Sequence, residues 1–231
     1  MNDVIGAKTL EVMEGAPAYN NWILEIIRPH LRGKVVELGA GIGTFAKKIA
    51  DLGFDVTALD YNAEYLKKIK TSHPQIHTQL FDAQVAKLPQ NLKSKFDTLI
   101  TLNVLEHLKD DDMAVDNINK MLNENGQLLA LVPAFKQAYS GLDKNLGHFR
   151  RYDKNGFISL LTRNGFEIQE VRYINPLGLL GWYIAGKIFG QSALKKSQIG
   201  LFDILVRPIL FLEKHIRFSF GISLFVVARK K

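Results

Sequence analysis

A chain of 231 residues with 47% hydrophobic and 23% charged side chains has the composition of one folded domain with a sizeable core. The absence of cysteine excludes disulfides, thiolate metal sites and a cysteine nucleophile, and the first residues lack the basic and apolar pattern of a secretory signal. No apolar run reaches the roughly 18 residues of a spanning helix, while a formal net charge of +7 favours anionic partners: nucleic acid, anionic lipid or a phosphorylated substrate.

Strand and helix signals alternate along the chain. A buried strand is expected at 34–38, followed by the glycine turn Gly39, Gly41 and Gly43 and a helix at 44–52. A second strand at 55–60 leads to a helix at 63–70 that Asn62 can cap. Strands at 75–81 and 96–103 precede a helix at 112–122, closed by 123–126, and a fifth strand at 127–132. After a polar loop comes a helix at 153–164, with Asp153 as N-cap and Gly165 as its stop. Strands at 167–174 and 222–228 finish the pattern. Such alternation gives an α/β fold, a mostly parallel sheet with helices on both faces. The connection between the last two strands runs to about 45 residues, far above ordinary lengths.

The glycine turn follows a strand and opens a helix, an arrangement that brings backbone N–H groups close to a ligand. A dinucleotide fingerprint would require a sixth-place glycine, and Thr44 stands there. Asp60 ends the second strand, about twenty residues on, where a carboxylate can accept ribose hydroxyls. Asp82 and Asn103 end the third and fourth strands at the same rim. The loop after the fifth strand concentrates Tyr139, Asp143, His148, Arg150, Arg151 and Tyr152. Adjacent arginines can clamp a phosphate or carboxylate, and His148 can take a proton from a nucleophile. Glu106 and His107 read as a structural pair at a helix start. The acidic run Asp110, Asp111, Asp112 reads as helix capping, so no metal is expected.

The spacing Glu37-x-Gly39-x-Gly41-x-Gly43, the acid Asp60, the pair Asp82-Ala83 and the stretch FDTLITLNVLEHL together resemble the class I S-adenosylmethionine-dependent methyltransferases over roughly 19–165. The resemblance implies a Rossmann-like doubly wound seven-stranded sheet, mostly parallel with the last strand antiparallel, and a helical insert between the last two strands. It implies a single domain over 1–231, with 175–220 as a substrate- or membrane-facing insert. It implies S-adenosyl-L-methionine as cofactor, with Gly39, Ala40, Gly41 and Gly43 against its methionine and ribose part. Asp60 would hold the ribose, Asp82 and Ala83 the adenine edge, Tyr61 the adenine face and Asn103 the methionine portion. Glu37 would orient the loop or meet the cofactor ammonium.

The stretches GHFRRY, INPLGLLGWY and FGISLFVVARK resemble a bacterial subgroup found with glycosyltransferases and cell-surface polysaccharide or lipid-carrier pathways. That likeness implies methyl transfer to a hydroxyl, less favoured an amine, of a small glycan- or lipid-related acceptor. His148 would be the catalytic base, and Tyr139, Arg150, Arg151 and Tyr152 would bind the substrate. The alternatives are an RNA methyltransferase and a non-catalytic cofactor-binding scaffold of the same fold.

The insert sets six basic side chains against two acidic ones, among many apolar residues. A helix is expected over 197–218, kinked at Pro208. Its wide apolar face calls for cover by the substrate pocket, a second copy of the chain or a membrane surface. A peripheral membrane contact would bring a lipid-linked acceptor to a cytoplasmic enzyme at the inner face. Nucleic acid ranks lower, because the insert lacks a long basic stripe.

Overall fold

The computed structural model describes residues 14–192, 200, 203–204, 208, 211, 213 and 216–231. The helix expected over 197–218 and its kink at Pro208 therefore lie largely outside the described residues. Seven strands form one sheet in the order β3-β2-β1-β4-β5-β7-β6. They are β1 (Val35–Leu38), β2 (Val56–Asp60), β3 (His77–Leu80), β4 (Phe96–Leu102), β5 (Leu122–Pro133), β6 (Phe166–Ile174) and β7 (Ser223–Lys230). The first five pair in parallel, and β7 runs antiparallel between β5 and β6. The expected Rossmann-like, seven-stranded α/β arrangement is the observed one.

The helices divide between the two faces of the sheet. The helices α1 (Pro17–Ile27), α2 (Thr44–Asp51) and α3 (Ala63–Ser72) precede the chain's crossing at β4. They bury Trp22, Ile23, Ile27, Ala46, Ile49 and Ile69 against one face. After β4 come α4 (Asp111–Met121), the short α5 (Gly141–Asn145) and α6 (Lys154–Arg163). The helices α4 and α6 bury Val115, Ile118, Phe157 and Leu161 on the other face. Strand order reverses between β1 and β4, and the crevice beyond such a switch point is where open α/β sheets bind ligands.

Local chemistry sets the helix starts. Asn62 accepts from the Glu64 N–H at 3.0 Å, Asp110 from Met113 at 2.9 Å and Asp153 from Gly156 at 2.7 Å. The acidic run is thus a capping device in part, while Asp111 and Asp112 bind Arg150 and Arg163. The boundary that differs most from expectation is the start of β5. β5 begins at Leu122, not 127, and its register against β4 shifts between Phe96 and Thr98. Residues 123–126 form a bulge, with Asn125 at φ +60° and the Asn123 amide donating to Asp97 at 2.8 Å.

The insert begins with α7 (Pro176–Tyr183), continued by a π-helical turn at Ile184–Ile188. Asn175 caps α7, accepting from the Gly178 N–H at 2.7 Å. Both acids of the insert turn inward. Asp203 accepts from the Ala18 and Tyr19 N–H groups at the start of α1, at 3.3 and 2.9 Å, and Glu213 accepts from the Asn175 N–H at 2.7 Å. Asp203 thereby caps a helix whose own N-cap, Ala16, has no side-chain acceptor.

Candidate functional site at the carboxyl rim of the sheet

The turn after β1 is held by backbone. Gly39 and Ala40 donate to the Leu59 carbonyl at 2.8 and 3.0 Å. Gly39, Gly41 and Gly43 have φ of +73°, +53° and +86°. A Cβ on Gly39 would lie 2.4 Å from Val104 Cγ2, and one on Gly43 would lie 2.7 Å from Ile69 Cγ1. Both conformation and space therefore require glycine at those two positions.

Asp60 locks this turn to the end of β2. Its carboxylate accepts from the Gly41 N–H at 2.8 Å and the Asn62 N–H at 2.9 Å. Glu37, at the level of the turn, is 3% exposed, and its Oε2 has no hydrogen-bond partner. Burial pushes its carboxyl up to about 8, offset by the Ala46 N–H and reinforced by the charge of Asp60. A buried, incompletely paired carboxyl beneath a glycine turn calls for a cationic partner. An adenosine-bearing ligand with an ammonium group meets that demand.

The remaining residues expected at this rim are spread along it. Tyr61 is 64% exposed. Asp82 is exposed and accepts from the Gln84 N–H at 2.9 Å, while Ala83 is buried. Asn103 is exposed at the end of β4, with φ +54° and its N–H on the Leu131 carbonyl at 2.8 Å.

The second half of the site centres on Asp143, which the sequence reading passed over as a role. It is fully buried in α5, where it closes a capping box with Ser140. His148 Nδ1 lies 3.1 Å from Asp143 Oδ1, and Arg151 Nε donates to the same oxygen at 2.6 Å. The Ser140 N–H and the Trp182 indole donate to Oδ2 at 2.9 and 3.1 Å. Burial alone would raise this carboxyl. His148, then Arg151 and Ser140, outweigh it and hold Asp143 below the usual range. An ionised Asp143 can only accept, so His148 carries a proton on Nδ1, facing that carboxylate.

The expected arginine clamp does not form. Arg151 is 2% exposed, donates to Asp143 and to the Ala134 carbonyl, and lies 4.9 Å over the Trp182 ring. Tyr152 is also buried, its hydroxyl on Asp111 at 2.8 Å. These two, expected at the substrate, are corrected to supports of the loop. Arg150 points to the rim, with Asp111 at 2.6 Å and the Lys109 carbonyl at 2.6 Å. Tyr139 donates its hydroxyl to the His148 carbonyl at 2.7 Å.

Glu106 and His107 sit on a short turn, Leu105–His107, rather than at the start of α4. The Phe149 N–H donates to the Glu106 carbonyl at 2.8 Å, which draws the His148 loop against this turn. Glu106 is fully buried, and neither carboxyl oxygen has a hydrogen-bond partner. Burial, with some help from Asp143, raises its carboxyl to about 8 against the attraction of Arg151. The His107 and His148 rings meet edge to face, their centroids 4.7 Å apart.

Residues 17–171 match the family described as "Methyltransferase domain". A "Probable S-adenosylmethionine-dependent methyltransferase" of Mycolicibacterium smegmatis is 27% identical over 138 residues, covering 59% of this chain and 52% of that protein. The chain spans about half the length of the mycobacterial relatives it matches. A "Ubiquinone biosynthesis O-methyltransferase" of Rickettsia canadensis is 23% identical over 175 residues, covering 68% of this chain and 73% of that protein. The crystal structure of an S-adenosylmethionine-dependent methyltransferase from Mesorhizobium loti superposes with a TM-score of 0.62 at 18% identity, covering 89% of this chain and 96% of that one. That likeness is one of fold.

Proposed function

The chain belongs to the methyltransferase-domain family, and from that premise we propose that it transfers a methyl group to a hydroxyl of a small glycan- or lipid-related acceptor. Family and fold imply S-adenosyl-L-methionine as the cofactor. It supplies an electrophilic methyl group on a sulfonium, a good leaving group, so orientation carries much of the rate. Glu37 is assigned to balance its ammonium, Gly39, Ala40, Gly41 and Gly43 to approach its amino-acid and ribose part, and Asp60 to hold its ribose hydroxyls. Asp82, Ala83 and Tyr61 are assigned to the adenine, and Asn103 to the methionine portion.

One observation carries the choice of a hydroxyl acceptor: the His148–Asp143 pair. An amine needs little help once it is deprotonated, whereas a hydroxyl needs its proton removed as the bond to carbon forms. His148 Nε2 is the base, and Asp143 fixes its tautomer. Arg150 and Tyr139 are assigned to the acceptor. The relative named for ubiquinone biosynthesis, an O-methyltransferase by its name, supports the same acceptor atom.

Residues 1–231 are read as one catalytic unit and 175–220 as its insert, working at the inner face of the membrane. Among the described residues no helix is long and apolar enough to cross a membrane. The insert instead exposes Leu180, Tyr183, Ile184, Ile188 and Phe189, each at least 45% accessible, with Lys187 exposed among them. Apolar side chains beside a cation suit an anionic lipid surface. The resemblance to the subgroup linked with lipid carriers points the same way.

The test is label transfer from methyl-labelled S-adenosylmethionine into a cell extract, followed by phase partition. Label in the organic phase supports a lipid-linked acceptor, and label only in the aqueous phase refutes that part. Failure to bind S-adenosylmethionine or its demethylated product by calorimetry would overturn the whole reading.

A further inference from the structure

We infer that Glu106, His107 and His148 form a binding site for a divalent transition-metal cation of the Zn²⁺ or Mn²⁺ type. One ligand atom from each residue lies within 4.8 Å of the others. At that spacing an ion at the centre would stand about 2.8 Å from each atom. Ligation at roughly 2.0–2.2 Å then asks for side-chain movements of up to about 0.6–0.8 Å.

Three independent features support an ion here. Glu106 is fully buried, with both oxygens lacking a hydrogen-bond partner, a costly state for a carboxylate unless something cationic meets it. His148 is oriented by a carboxylate through Nδ1, the arrangement by which a second acid fixes the ring of a metal-binding histidine and leaves Nε2 to the ion. Charge also fits. When ionised, the buried Glu106 and Asp143 exceed the single guanidinium of Arg151 by one negative charge, and both imidazoles can serve as neutral ligands.

The donor set selects the ion. Two imidazoles and one carboxylate suit Zn²⁺, Mn²⁺ or Fe²⁺ rather than the oxygen cages of Ca²⁺ and Mg²⁺. Three protein ligands leave coordination positions open, as in catalytic sites. An acceptor hydroxyl in an open position would lose its proton to solvent more readily. That last role rests on the hydroxyl reading above, the ion then serving in place of the free His148 Nε2 to loosen the acceptor's proton. The binding site itself does not rest on it.

The test uses chelator-treated full-length protein with neither methyl donor nor acceptor, so its outcome is separate from that of methyl transfer. Zn²⁺ and Mn²⁺ are titrated by calorimetry, with a thermal melt at each ratio. The expected result is one equivalent bound per chain with a rise in Tm. Glu106→Gln and His107→Gln should each abolish both effects. His107 is exposed, so its substitution keeps the fold if the buried glutamate variant does not. Asp143→Asn should weaken binding by about 10–100-fold. The absence of a saturable site in the unmodified protein, or equal affinity in His107→Gln, would overturn the assignment.

Discussion

The Trp182 indole donates a hydrogen bond of 3.1 Å to Asp143, the same buried carboxylate that orients His148. The insert and His148 therefore share one anchor. Gly186 adds to this contact, since a Cβ there would lie 2.3 Å from Ser140 Oγ. The first turns of the insert thus pack against the loop that carries His148. Trp182→Phe keeps an aromatic face over Arg151 and deletes one donor to Asp143. It should cost about 1 kcal/mol in stability and reduce turnover more than cofactor affinity. Chemical denaturation and single-turnover kinetics check the two halves.

Asp143→Asn should be far more damaging. It leaves the guanidinium of Arg151, 2% exposed, without its ion-pair partner. Breaking a buried pair on one side costs about 3–5 kcal/mol. A variant with the wild-type denaturation midpoint would refute the central place given to this pair.

Gly39→Ala and Gly53→Ala form a controlled comparison. Both glycines have left-handed backbone, at φ +73° and +91°. Around Gly53 a Cβ would meet nothing within 4 Å, whereas at Gly39 it would meet Val104 at 2.4 Å. Gly53→Ala should lose only the strain of roughly 1–2 kcal/mol. Gly39→Ala should add an overpacking cost of roughly 1–3 kcal/mol and should also lose cofactor binding. Equal melting temperatures for the two variants would contradict the packing at Val104.

Glu37 predicts a pH dependence with a definite sign. Its folded carboxyl titrates near 8, above the ordinary range, so the folded chain holds a proton that the unfolded chain has released. Stability contributed by this group falls as pH rises from the usual carboxyl range to about 8, and the penalty is complete above that. Glu37→Gln should flatten this slope and raise the Tm at pH 9. A cofactor ammonium should reverse the preference and drive the proton off. Calorimetry at pH 7 in two buffers of different ionisation enthalpy should show proton release on binding, and the glutamine variant should not.

The exposed residues of the insert carry the fifth expectation. Ile188 and Phe189 are 63% and 68% exposed, so Ile188→Ser with Phe189→Ser should leave thermal stability within about 0.5 kcal/mol. Binding to anionic vesicles should fall tenfold or more, since each side chain can contribute about 1.5–3 kcal/mol when buried. Unchanged sedimentation with vesicles would remove the membrane contact and leave the packing against the His148 loop.

Much of this architecture was legible because it rests on short-range rules. Apolar strands alternate with capped helices, and Asn62 and Asp153 cap as their positions predict. The glycine turn and Asp60 could be joined in advance because both stand at strand ends. What escaped were contacts between segments. Arg150 and Arg151 read as a pair because they are neighbours, yet a bridge between Ala134 and Tyr152 marks an extended stretch whose side chains alternate. Arg150 and Tyr152 consequently meet the same Asp111, while Arg151 turns inward to Asp143. The meeting of Glu106, His107 and His148 was equally hidden, because it depends on a backbone bond from Phe149 across the sheet rim. Trp182 gave no local signal at all, since its partner lies 39 positions away.

The place of β7 in the sheet order bears on how the chain is made. It lies between β5 and β6, pairing with both over most of its length. During synthesis both neighbours leave the ribosome first and wait with open edges while the insert is translated. Unpaired edges are templates for association with other chains. Completion of the sheet is thus postponed to the last residues of β7, and a ribosome stalled within the insert would hold out two sticky strands that only its own next segment can silence.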